Sequence, residues 1–93
     1  MIRGFKNKLA QRLFARERPR KLHPDLQKAA LRKLLMLDAA ENLNDLRVPP
    51  GNRLEALSGE REGQHSIRIN EQWRICFVWT DAGPDDVEIV DYH

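Results

Sequence analysis

Residues 65–80, His65-Ser66-Ile67-Arg68-Ile69-Asn70-Glu71-Gln72-Trp73-Arg74-Ile75-Cys76-Phe77-Val78-Trp79-Thr80, carry the pattern that decides the fold. His65, Ile67 and Ile69 alternate with Ser66, Arg68 and Asn70. After a polar turn near Asn70-Glu71, Trp73, Ile75, Phe77 and Trp79 alternate with Arg74, Cys76, Val78 and Thr80. A period of two is the signature of a strand with one buried face, so the stretch predicts an antiparallel hairpin. The Trp73, Ile75, Phe77, Trp79 face is the expected core. Arg74 then points to the opposite face, and Ser66 and Arg68 are expected to share it.

Downstream, Ala82-Gly83-Pro84 reads as a turn and Val87 to Tyr92 as a last strand. Upstream, Arg53 to Leu57 reads as a short strand, followed by the polar turn Ser58-Gly59-Glu60-Arg61-Glu62-Gly63. Val48-Pro49-Pro50-Gly51-Asn52 is a breaker, and before it the period is helical. Phe5, Leu9 and Leu13 form one apolar stripe beside the basic stripe Lys8, Arg12 and Arg16. That helix is expected to run to Glu17-Arg18-Pro19-Arg20, because the residue before a proline is pushed out of helical geometry. A second helix starts near Pro24, with His23 in a helix-start role, and buries Leu26, Ala30, Leu34 and Leu37. The fold class is therefore α+β, in a single domain over 1–93. Its expected form is two N-terminal helices packed on one face of an antiparallel sheet of about four strands.

Composition, 41% hydrophobic and 32% charged, is that of a globular protein rather than a disordered tail. Nothing approaches the roughly 18 apolar residues of a membrane span, and Met1-Ile2-Arg3-Gly4-Phe5-Lys6 lacks a signal-peptide core, so a cytoplasmic protein without a membrane partner is expected. Cys76 stands alone, which excludes an internal disulfide, and metal-ligand pairs such as C-x-x-C or H-E-x-x-H are absent from the sequence, so no cofactor or metal is expected. In its apolar run, Cys76 reads as an unreactive strand residue. The net charge of +2 hides a division. Residues 1–33 hold eleven Lys and Arg against Glu17 and Asp25, while residues 80–93 hold five acids and no base. Such a basic segment favours polyanions, nucleic acid above all, over a merely solvated helical face.

Cleaving RNA through its own 2′-hydroxyl requires a base, an acid and a cation for the phosphorane-like transition state, and no metal. Arginine suits the last role, since its planar fork matches two phosphate oxygens and keeps its proton. Arg74 is the first candidate, against the alternative of an ordinary strand arginine paired with an acid. Asp91-Tyr92-His93 directly follows an apolar strand, which would hold it near the sheet. There Asp91 is able to orient an imidazole, Tyr92 to stack or carry a proton, and His93 to act as acid or base; the alternative is a solvated tail. Strand parity cannot put all three on Arg74's face. His65 shares the parity of Ile67 and Ile69, which favours a partly buried structural histidine over a catalytic one.

Three fragments together resemble the HigB branch of the RelE toxin superfamily. They are Gly59-Glu60-Arg61-Glu62-Gly63-Gln64-His65-Ser66-Ile67-Arg68-Ile69-Asn70, then Gln72-Trp73-Arg74-Ile75-Cys76-Phe77, and terminal Val90-Asp91-Tyr92-His93. The start, Met1 to Lys8, is similar as well. The resemblance implies a RelE-like fold and a ribosome-dependent endoribonuclease that cleaves mRNA and inhibits growth. It further implies a HigA-type helix-turn-helix antitoxin, with operator DNA bound only through the complex of the two. It carries catalytic roles to Arg74, Asp91, Tyr92 and His93, and RNA contact to the basic residues Lys6, Lys8 and Arg12, which it places on the helices; Arg68, on Arg74's face, is a further RNA-binding candidate. One position departs from the family pattern: Glu55 stands where relatives place a histidine. A glutamate there is able to act as a base, but repels the scissile phosphate unless protonated or paired with Arg53 or Arg74. His65 is the candidate to replace the missing histidine in space. The competing readings are a non-catalytic RNA- or ribosome-binding growth inhibitor and, less well supported, a DNA-binding regulator.

Overall fold

The structure is a computed structural model that describes residues 1–91. Its elements are α1 (Lys8–Phe14), α2 (Pro24–Ala39), β1 (Glu55–Ala56), β2 (His65–Arg68), β3 (Trp73–Thr80) and β4 (Gly83–Asp91), with short 3-10 turns between α2 and β2. The four strands form one antiparallel meander in the order β1-β2-β3-β4.

Pairing Ile67 with Ile75 and Ile75 with Ile89 sets one row of side chains on a common face. Ile67, Ile75, Phe77, Val87 and Ile89 from the sheet and Ala10, Leu13, Ala30, Leu34 and Leu37 from the helices are buried in one cluster. Trp73 and Trp79, at the two ends of the β3 row, are only partly buried against it. Between Cys76 and Val78 the β3–β4 register shifts, with Asp86 in the left-handed region at φ 50°, so β4 carries a bulge. The bulge lets pairing continue back to Gly83, which lengthens β4 beyond the expected Val87 start.

Several boundaries differ from expectation. Phe5 is not helical: residues 3–6 lie along the outer edge of β4, where Arg3 N donates to Pro84 O (2.8 Å), Lys6 N to Val87 O (2.8 Å) and Val87 N to Gly4 O (3.1 Å). Covering an edge strand satisfies backbone groups that would otherwise stay open. The helix then begins after Asn7, whose side chain accepts from Ala10 N (3.1 Å) and donates to Ile89 O (2.9 Å). It also ends early, with Arg16 left-handed at φ 68°, ahead of the proline expected to stop it. At α2 the expected start holds: Pro24 opens the helix and His23 Nδ1 accepts from Asp25 N (3.1 Å). β1 is shorter than Arg53–Leu57, since Arg53 is left-handed at φ 46°.

The breaker before β1 is fastened from inside. Buried Asn52 donates to Leu46 O (3.2 Å) and Val48 O (3.4 Å) and accepts from the buried Lys33 Nζ of α2. Among the described residues no helix is long and apolar enough to cross a membrane.

Candidate active site

The register that buries one row of side chains gathers another on the reverse face. Glu55 pairs with Ser66, Ser66 with Cys76, Arg68 with Arg74, Arg74 with Val90 and Cys76 with Glu88, and directly opposed residues share a face. Arg74 sits centrally in this array. Its Nη1 lies 2.6 Å from Glu55 Oε1 and donates to Ser66 Oγ at 3.2 Å. The Arg74 side chain is 16% exposed against 50% for Glu55, so the arginine is held and the carboxylate reaches solvent. Arg68 stands directly opposite Arg74, an arrangement of like charges that Glu55 offsets.

A second charged group occupies the same face. Arg61 Nη1 donates to Glu88 Oε1 (2.7 Å) and Gln64 Oε1 (3.1 Å), and Lys6 Nζ is 4.0 Å from the same Glu88 oxygen. Beneath these groups Ser66 and Cys76 are fully buried. Burial pushes the Cys76 thiol up; Glu88 adds to the rise, while Arg61, Arg74 and Lys6 oppose it. A buried thiol with a raised pKa stays protonated at neutral pH and is no nucleophile. Among the described residues, four cations, Lys6, Arg61, Arg68 and Arg74, thus share the face with Glu55, Glu88 and, opposite Val78, Asp85. The excess is positive, as an anionic chain requires.

The structure does not bring every sequence candidate here. Asp91 pairs with Trp73, so it takes Trp73's side of the sheet rather than Arg74's, and its Oδ2 accepts from Gln72 Nε2 (2.9 Å). His65 pairs with Phe77 and stacks on its ring at 6.3 Å between centroids, on the core side. It therefore cannot take the place of the missing family histidine beside Arg74. Lys6 was expected on a helix, but it lies before α1 in the strand-like N-terminal segment, from which it reaches Glu88. Lys8 and Arg12 are exposed on α1, and Arg12 Nε pairs with Glu17 Oε1 at 3.2 Å. Tyr92 and His93 lie outside the described residues.

The model of a family described as the RelE-like toxin of type II toxin–antitoxin system HigB matches residues 3–93, nearly the full length. The chain belongs to this HigB-like toxin family. Toxin HigB-1 of Vibrio cholerae is 44% identical over 83 residues, which cover 88% of this chain and 87% of that protein. An uncharacterized protein of Haemophilus influenzae is 46% identical over 59 residues, 63% of this chain and 58% of its own. Among solved structures, a chain of the YoeB–YefM complex from Staphylococcus aureus superposes with a TM-score of 0.63 over all of this chain and 98% of that one. At 17% identity that likeness is one of fold.

In the toxin, Glu55 is thus not an isolated acid at the departing family position but the ion-pair partner of Arg74. Sequence reasoning missed Arg61 and Glu88. Glu88 had a usable signal, since it alternates with Val87 and Ile89 and must face away from the core. Arg61 had none, because its place depends on how the turn after β1 folds over the sheet. No group of three or more His, Cys, Asp or Glu among the toxin's described residues is arranged to hold a metal ion.

Proposed function

We propose that the toxin is a ribosome-dependent endoribonuclease that cuts translated mRNA without a metal ion. In this reading both helices cover one face of the sheet and the Arg74 face receives the RNA in the cytoplasm. The carrying observation is Arg74 itself, a mostly buried guanidinium fixed between Glu55 and Ser66 on a face with a cation excess. A fixed cation costs no reorganisation when charge develops on the phosphorane, which is where electrostatic catalysis gains most.

The 2′ oxygen attacks phosphorus as the P–O5′ bond breaks, leaving a 2′,3′-cyclic phosphate and a 5′-hydroxyl. Glu55, exposed on its outer side, takes the 2′ proton, and Arg74 stabilises the pentacoordinate state. The family resemblance supports Tyr92 and His93 for protonating the 5′ oxygen, and Asp91 for orienting them from the sheet's end. A HigA-type helix-turn-helix antitoxin is the proposed partner, with operator DNA engaged through that complex. Support comes from the family's description as toxins of toxin–antitoxin systems.

The test is induction in growing cells followed by mapping of new RNA 5′ ends. New 5′-hydroxyl ends inside translated frames are expected, and Arg74→Ala is expected to remove them. A non-catalytic reading has one observation in its favour: Glu55 already neutralises Arg74. Growth arrest without new ends would establish that reading instead.

A further inference from the structure

A second meeting place of cations and an aromatic ring lies away from the Arg74 face. A groove of about 700 Å³ is bounded by the start of β3, by α1 and by the segment joining α1 to α2. Lys8, Arg12, Arg18, Arg20 and Lys21 line it, and all five are exposed. Among the described residues no acid lines it. Glu17, outside the groove, pairs with Arg12, but both side chains are 54% exposed, so water and salt screen that pair. Leu9 and Leu22 give the groove an apolar wall, and Trp73 stands in it. Trp73 is partly buried: it packs against the core and also lines the groove. Asp91, across the ladder from Trp73, is engaged by Gln72.

Five cations around a partly exposed tryptophan is the chemistry of a site for single-stranded nucleic acid. Bases stack on the ring whatever their sequence, and the backbone phosphates meet the cations. A duplex would offer no free base to Trp73. An acidic protein segment would satisfy the charges but gain nothing from the tryptophan face beyond burial. We infer that this groove binds an unpaired stretch of RNA, with one base stacked on Trp73 and the adjoining phosphates on Lys8, Arg12, Arg18, Arg20 and Lys21. The inference shares with the proposed function the premise that RNA is the toxin's ligand. It goes beyond it in placing a grip on the side of β3 opposite Arg74, one residue along the chain.

Trp79→Phe leaves Trp73 as the single tryptophan, and its emission then reports on the groove. The probe is a ten-nucleotide single-stranded RNA with every 2′ oxygen methylated, which cannot be cleaved. Saturable quenching of Trp73 is expected. Trp73→Leu, assayed by anisotropy of the labelled RNA, should weaken binding at least about fivefold, the lower bound for one stacked base, and Trp73→Phe should recover part of the loss. Arg18→Gln with Arg20→Gln, two surface changes, should lower the slope of log K against log salt by about 1.4, the value for two single-strand phosphate contacts. The inference is overturned if wild type does not bind, if Trp73 emission does not respond, or if both sets of variants bind as wild type does. It is also overturned if polyglutamate displaces the RNA at equal charge concentration without itself quenching Trp73, which would mark a protein-binding groove. Because the probe cannot be cut, the two proposals fail separately: quenching without new 5′ ends in cells removes only the nuclease reading, and new ends without quenching remove only this one.

Discussion

At the scale of single residues, the Arg74–Glu55 pair decides most. Arg74 and Ser66 could be placed on one face from alternation alone, because a strand offers only two sides and one was visibly apolar. That Glu55 would reach Arg74 was an alternative the sequence allowed but did not select, since Arg53 is far nearer along the chain. The register does select it, by setting Glu55 opposite Ser66. The same parity turns Asp91 to Trp73's side. The pair itself adds little stability, because Glu55 is half-exposed and such bridges contribute about 0–1 kcal/mol. Glu55→Gln is therefore expected to leave the melting temperature nearly unchanged while lowering cleavage on programmed ribosomes by roughly 100-fold, within the range for loss of a proton-transfer group. Cleavage at the wild-type rate would remove Glu55 from the reaction. Arg74→Lys should fail to restore what Arg74→Ala loses, since a single ammonium cannot hold Glu55 and Ser66 and also present a fork to phosphate.

At the scale of elements, the helices and strands were legible in kind and order, and the errors lie where two kinds of burial look alike. Phe5, Leu9 and Leu13 have helical spacing, yet Phe5 is partly buried against the core from an extended segment bridged to β4. A period cannot tell an extended residue beside a helix from the helix's own first turn. Asn7 marks the true boundary, and it serves both elements by capping α1 and bonding Ile89 O. Asn7→Ala should cost about 1–2 kcal/mol in urea unfolding, the value of a lost cap, with the larger part if the β4 tether also counts. A change below about 0.3 kcal/mol would show that residues 3–6 hold the helix start without it. Asn52 plays the corresponding part for the breaker: Asn52→Ala strips Leu46 O and Val48 O of a donor and leaves the Lys33 ammonium without its amide acceptor. The expected loss is about 2–4 kcal/mol, since buried polar groups left unsatisfied cost more than their bonds contribute. Nothing in Pro50-Gly51-Asn52 announced this, because its partner is nineteen residues away on another element.

At the scale of the whole molecule, a cationic first third and an acidic last stretch fold against one another, and the excess of positive charge stays on the outside. Lys33 is the exception, a basic residue of the cationic third that is buried at 8% exposure. Desolvation holds its pKa below the ordinary lysine value, and neighbouring Arg32 lowers it further. Its hydrogen-bond partner, Asn52, is a neutral amide and returns no charge. Below the lowered pKa both the folded and unfolded chains carry the proton on Lys33, and there the folded state bears the full cost of burying it. Between the lowered pKa and the ordinary value, the unfolded chain holds more protons, so raising the pH favours folding. Lys33→Gln keeps a donor for Asn52 but has no proton to lose, and every other titrating group is common to both proteins. The stability of wild type relative to Lys33→Gln is therefore expected to rise between pH 7 and pH 10 in urea unfolding. Parallel profiles over that range would mean that the ammonium is hydrated in the folded state, and a relative fall would mean that an anion holds it. Either result would also change the view of the breaker before β1, whose anchoring rests on this lysine meeting an amide out of reach of water.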